Sequence, residues 1–133
     1  MIIGLGIDIV SIERISGLLE RHGGRAKKRL YTETERAYCE GMAHPALHFA
    51  ARFSAKESFV KALGTGFSGG VKWREIGVVN DAKGKPELVI AGDARTAMER
   101  LGATSAFVSL SHDATHAAAV VVLEREDRAS ESR

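Results

Sequence analysis

The chain has 133 residues, 44% hydrophobic and 27% charged, with a formal net charge of +2. Such a composition suits one globular domain with its own core and excludes collagen-like and low-complexity chains. The single cysteine, Cys39, excludes an internal disulfide framework; with no bilayer-length apolar run and no signal-peptide start, a cytoplasmic protein without a membrane role is expected.

The first strand, MIIGLGIDIVS, alternates Ile3, Leu5, Ile7 and Ile9 on one face with Gly4, Gly6 and Asp8 on the other. An acid beside two glycines fits a place where a ligand or another backbone comes close. Ser11 is positioned to cap a helix that turns Ile12, Ile15 and Leu19 inward and stops near His22 at Gly23 and Gly24. Arg14, Leu18 and Arg21 form a second stripe on this helix. Between positions 14 and 29, Arg14, Arg21, Arg25, Lys27, Lys28 and Arg29 stand against the single acid Glu20. That patch suits an acidic protein, a nucleotide or nucleic acid, or is simply a solvated helix face.

Thr32 followed by Glu35 is a capping-box pattern opening a helix to about Met42. Pro45 starts a long helix containing RFSAKESFVKALGTG, Arg52 to Gly66. In it Glu57 falls within the apolar stripe of Phe49, Ala50, Phe53 and Val60, and Lys61 follows one turn later. A carboxylate so placed calls for Lys61, a metal ion, or both. The loop GTGFSGG matches a glycine-rich dinucleotide pattern formally, but it follows a helix instead of a strand.

Beyond the loop the pattern predicts a strand over 73–80, a turn over 81–84 and a strand over 86–90, forming a hairpin. Asp93 is placed to cap a short helix with Ala94, Ala97, Met98 and Leu101 on one face and Gly102 at its end. Strands over 105–111 and 116–123 flank a turn at 113–115. The order β-ααα-ββ-α-ββ predicts one small α+β domain over 1–124, with a mainly antiparallel sheet and a long helix. Residues 125–133 read as a charged, frayed tail.

Ser111, His112 and Asp113 are consecutive, so in an extended chain they point to alternate faces and cannot converge as a nucleophilic triad. His112 ends the strand face bearing Ala106, Val108 and Leu110, which leaves a capped core histidine and a phosphate contact as its two readings. His44 and His48 have helical spacing, but no cysteine or acid completes a zinc set. Asp8 and Glu57 are oxygen donors of the kind that hold magnesium together with substrate phosphates and water. The plainer alternative for both acids is an ion pair, for example Glu57 with Lys61.

Taken together, GIDIV with Asp8, RFSAKESFVKALGTG, the EIGVVNDAKGKPEL hairpin and the late SLSHD resemble, in order, the signatures of the phosphopantetheinyl transferases. The resemblance runs from about Ile3 to Glu124. It implies transfer of 4′-phosphopantetheine from coenzyme A to a serine of apo acyl carrier protein, releasing adenosine 3′,5′-bisphosphate in support of fatty acid biosynthesis. By the same resemblance Asp8 and Glu57 are magnesium ligands, Lys61 stabilises the leaving phosphate, and either Glu57 or a metal-bound water takes the serine proton. Arg52, Lys61, Gly64, Thr65, Gly66 and His112 are coenzyme A contacts, and Arg14 and Arg21 engage the carrier. It further implies a homotrimer with active sites between neighbours, His112 serving the Asp8 and Glu57 of another chain. The rival from another class is a non-catalytic module that binds an acidic protein or nucleic acid through the basic patch, with Glu57 and Lys61 as a structural pair.

Overall fold

The computed structural model describes residues 1–127. Strand β1 (Ile2–Ser11) leads into α1 (Ile12–Leu30), α2 (Glu33–Glu40) and α3 (Pro45–Leu63). A single 3₁₀ turn, Trp73–Glu75, introduces β2 (Ile76–Asn80) and β3 (Pro86–Ile90), and α4 (Gly92–Leu101) precedes β4 (Ser105–His112) and β5 (His116–Glu124). The α+β expectation holds, with every pairing antiparallel. The strands divide into two sheets, β1-β5-β4 and the β2-β3 hairpin.

The organising element is α3, buried on nearly every side and about 28 Å long at 1.5 Å per residue. It contributes to both apolar clusters. Phe59, Val60 and Leu63 pack with β2, α4 and β5, while Phe49, Ala50 and Phe53 pack with α1 and Tyr31. Its close approach to β1 depends on small residues. A Cβ on Gly6 would overlap the Ser58 carbonyl oxygen, and one on Gly4 would lie 2.5 Å from the Ala62 oxygen. Ser54 and Ser58, one turn apart on α3, bolt the contact by donating to the Asp8 and Ala119 carbonyls, each at 2.9 Å. The glycines in the first strand therefore admit a neighbouring backbone.

This packing turns the glycine face of β1 inward. The Gly4, Gly6 and Asp8 face lies against α3, whereas Leu5, Ile7 and Ile9 are 65–68% exposed. Across the sheet the same open face carries Val122, Val120 and Phe107, paired through Leu5↔Val122↔Phe107 and Ile7↔Val120.

Three local boundaries also differ from expectation. Gly23 breaks α1 at φ 56°, ψ −141° without ending it, and the helix resumes to Leu30. Residues 73–75 form the 3₁₀ turn because the Glu75 carboxylate holds the Lys72 amide at 2.8 Å. The other Glu75 oxygen accepts from the Asp93 amide at 3.0 Å, so Glu75 replaces Asp93 as the polar cap of α4. The Thr32–Glu35 capping box and the Pro45 start are as expected. Of the expected tail, Arg125 exchanges backbone hydrogen bonds with Met1 and the Glu126 amide donates to Thr104; positions 128–133 lie outside the described residues. Among the described residues no helix is long and apolar enough to cross a membrane.

Candidate active site

Asp8 leaves the α3-facing side of β1 beside Gly6 and meets the last turn of α3. There Lys61 Nζ lies 3.0 Å from Asp8 Oδ1 and also donates to the Ile7 carbonyl at 3.0 Å. The ion pair of Lys61 is thus with Asp8, where the sequence suggested Glu57. Asp8 is mostly covered and Lys61 half exposed, so the ammonium sits at the mouth of the site.

Glu57 lies one turn before Lys61 on α3 and is half-buried. Burial first, and the Asp8 carboxylate second, push its carboxyl above the ordinary carboxylate range. Lys61 and Arg14 pull in the opposite direction, which places the first turn of α1 beside the site. Two neighbouring carboxylates with one ammonium between them leave a surplus of negative charge. Divalent magnesium fits that donor set, since it commonly takes one or two carboxylates and completes its shell with phosphate oxygens and water. Among the described residues no group of three or more His, Cys, Asp or Glu side chains is arranged to hold a metal by itself.

The other expected contacts lie elsewhere along α3. Gly64 closes the helix at φ 82° and Gly66 follows at φ 63°, left-handed values that suit glycine; Ser68 donates to the Thr65 carbonyl at 2.7 Å. The Gly64-Thr65-Gly66 loop thus begins three residues past Lys61. Arg52 is only 2% exposed. Its Nη2 donates to Asn80 Oδ1 at 2.6 Å, its guanidinium lies 4.3 Å from the Tyr38 ring centre, and its Nε is buried without a hydrogen-bond partner.

His112 is exposed, which removes the core-histidine reading. It borders a cavity of about 810 Å³ with His44, Pro45 and Ala114. Desolvation first, then the charges of Arg52, His112 and His44, push the pKa of His48 down, so these four groups form a second cluster. Arg52 and Lys61 are nine residues apart, or half a revolution at 100° per residue, and so emerge on opposite sides of α3. Arg14 and Arg21 are exposed on α1, two turns apart.

The sequence reading missed a buried pair next to the site. Lys56 and Glu35 are both fully buried, with Lys56 Nζ 2.7 Å from Glu35 Oε1 and further donations to the Ile76 and Trp73 carbonyls at 2.6 and 3.1 Å. Glu35 also accepts from the Thr32 and Val78 amides. This network clamps α2, α3 and β2 together, and its lysine immediately precedes Glu57. The signal was available in the capping-box glutamate and in a lysine within an otherwise apolar helix.

Residues 4–121 match the model of the 4'-phosphopantetheinyl transferase superfamily. A holo-[acyl-carrier-protein] synthase of Geobacter metallireducens is 49% identical over 125 residues, covering 94% of this chain and 99% of its own. Another, from Alkalilimnicola ehrlichii, is 47% identical over 128 residues, covering 96% and 100%. The crystal structure of the Neisseria meningitidis enzyme of that name superimposes with a TM-score of 0.86 at 38% identity, covering 94% of this chain and all of the other. The Helicobacter pylori enzyme in complex with coenzyme A gives 0.79 at 30%, covering 90% and 99%. The sequence match spans both Asp8 and the Glu57–Lys61 turn, and the fold that joins them is shared from end to end, so the chain belongs to the 4'-phosphopantetheinyl transferase superfamily.

Proposed function

We propose that this protein is a holo-[acyl-carrier-protein] synthase, moving 4′-phosphopantetheine from coenzyme A to a serine hydroxyl of apo acyl carrier protein in cytoplasmic fatty acid biosynthesis. The observation that carries the reading is the convergence of Asp8, Glu57 and Lys61 at the end of α3. Phosphoryl transfer asks for positioning and charge neutralisation more than covalent participation by the enzyme. The serine oxygen bonds to the phosphorus bearing the pantetheine, and the bond to the adenylate-side oxygen breaks, releasing adenosine 3′,5′-bisphosphate.

In this reading Asp8 and Glu57 hold magnesium, which when bound draws charge from the diphosphate oxygens. Lys61, tethered by the Ile7 carbonyl and Asp8, directs its ammonium at the phosphate. Glu57, half-buried one turn before Lys61, takes the serine proton. Amides of the Gly64-Thr65-Gly66 loop cradle phosphate oxygens.

Arg52 and His112 act on coenzyme A from a neighbouring copy in a homotrimer. Their separation from Lys61 across α3 supports this, as does the open apolar face of Leu5, Ile7, Ile9 and Phe107. A contiguous apolar sheet face of that kind marks an association surface.

The test is to incubate the protein with coenzyme A, magnesium and a panel of apo carriers and weigh each carrier. The reading expects a gain of one phosphopantetheine that disappears on chelation. Unmodified mass across the panel would sink it.

A further inference from the structure

The glycine loop that follows α3 has little within itself to hold it still. From Gly64 to Gly70 four of the seven residues are glycines, all at positive φ, and glycine has the most conformational freedom to lose on ordering. Among the described residues no backbone amide from Thr65 to Val71 donates to a backbone carbonyl, and the Ser68 hydroxyl on the Thr65 carbonyl is a contact inside the loop. Open amides of this kind suit an anion but do not fix the chain that carries them. Val71, buried in the core, anchors the far end of the loop. Within the loop the anchor is Phe67, the one large apolar side chain between Gly64 and Gly70.

Phe67 directly follows Gly66, and its ring stacks on Trp73 with centres 4.1 Å apart and planes inclined by 27°. Trp73 stacks in turn on Phe53 of α3, at 4.9 Å and 23°. Such ring pairs contribute more than the burial of their area alone. Trp73 is also held through its backbone, because its carbonyl accepts from Lys56 Nζ at 3.1 Å. The same ammonium donates to Glu35 and to the Ile76 carbonyl, so all three of its hydrogens are engaged. The stack joins the two apolar clusters, since Phe67 packs with the one around Phe59 and Trp73 with the one around Phe49. A continuous support therefore runs from the buried ion pair through Trp73 and Phe67 to the residue beside Gly66.

We infer that Phe67 is a positioning residue: stacked on Trp73, it holds the Gly64-Thr65-Gly66 amides where the coenzyme's phosphates meet them. This rests on the transferase reading. Phe67 removes conformational freedom from the loop before the coenzyme arrives, so that binding does not have to remove it. Losing that preorganisation weakens ground state and transition state alike, which raises KM and leaves kcat nearly as it was.

The test compares the full chain with Phe67→Ala, Phe67→Leu and Phe67→Tyr. Calorimetric titration with coenzyme A and magnesium, without carrier, should give a Kd about tenfold higher for Phe67→Ala, matched by the coenzyme A KM, while kcat stays within about threefold. Phe67→Tyr keeps the ring and should bind within twofold of the wild type; Phe67→Leu keeps apolar bulk without the ring and should remain weak. Amide hydrogen exchange over 64–72, measured without ligand, should be faster in the Ala and Leu variants, with exchange in β5 unchanged. Trp73 is the sole tryptophan, so a shifted emission in these two variants reports the lost ring contact.

Wild-type coenzyme A affinity and loop exchange in Phe67→Ala would overturn the inference. So would Phe67→Leu indistinguishable from Phe67→Tyr, which would reduce the ring to mere bulk. The two readings fail separately. Ring-dependent loop exchange in a protein that neither binds coenzyme A nor modifies a carrier would remove the transferase reading and leave the tether standing, whereas an active enzyme indifferent to Phe67 would do the reverse.

Discussion

Glu57 is the residue where stability and function pull apart. Its carboxyl is held above the ordinary range, so the folded chain binds that proton more tightly than the unfolded chain. The associated stabilisation is present below the unfolded carboxylate value and is lost as pH rises through the raised folded value. Glu57→Gln should therefore melt at or above the wild type at neutral pH and converge with it in acid, while transfer falls by about 10²–10⁴-fold. Thermal melts across pH check the first part; a variant markedly less stable at neutral pH would contradict the assigned cause. Lys61 lowers the Glu57 pKa, so Lys61→Met should move the acidic limb of the pH–rate profile upward as well as slow transfer. At this scale the sequence was readable because Asp8 and Glu57 each interrupt an apolar pattern. The partner of Lys61 was not, because an i to i+4 neighbour is visible along a helix whereas a strand residue 53 positions away is not.

Between elements, the site depends on the fit of α3 to its surroundings. Gly6→Ala would drive a methyl group into the Ser58 carbonyl, which is backbone and cannot swing aside. Overpacking of this kind costs about 1–3 kcal/mol, with backbone contacts at the upper end. Denaturant unfolding should show the loss, accompanied by weakened coenzyme A binding as Asp8 shifts away from Lys61. Lys56→Met leaves Glu35 as an uncompensated buried charge, and breaking such a pair costs about 3–5 kcal/mol. A melt unchanged in Lys56→Met would contradict the clamp. The helices were legible from caps and apolar spacing, yet Gly23 was read as a stop because two glycines ordinarily end a helix. Tertiary packing of Leu30 and Ala26 against the α1–α3 cluster carries the second half onward. Similarly, Glu75 displaced Asp93 as a cap through a contact across 18 positions that local pattern does not reveal.

For the whole molecule, the α+β class followed from element order, whereas alternation alone left open which face of β1 turns inward. An Ile-rich face ordinarily faces the core of its own chain, but here glycine against α3 claims the inside and leaves Leu5, Ile7, Ile9 and Phe107 in the open. On the proposed homotrimer that face is core between copies, so Ile7→Glu should yield monomers by sedimentation and lose transfer together with assembly. A trimeric, active Ile7→Glu would place the interface elsewhere. The central claim is that Asp8, Glu57 and Lys61 perform the transfer. Its most direct test is the single-turnover rate of phosphopantetheine transfer to apo carrier for wild type, Asp8→Ala and Glu57→Ala at saturating coenzyme A and magnesium, with native melts recorded alongside. Folded variants that have lost transfer are the predicted result; folded variants that transfer at the wild-type rate would contradict it.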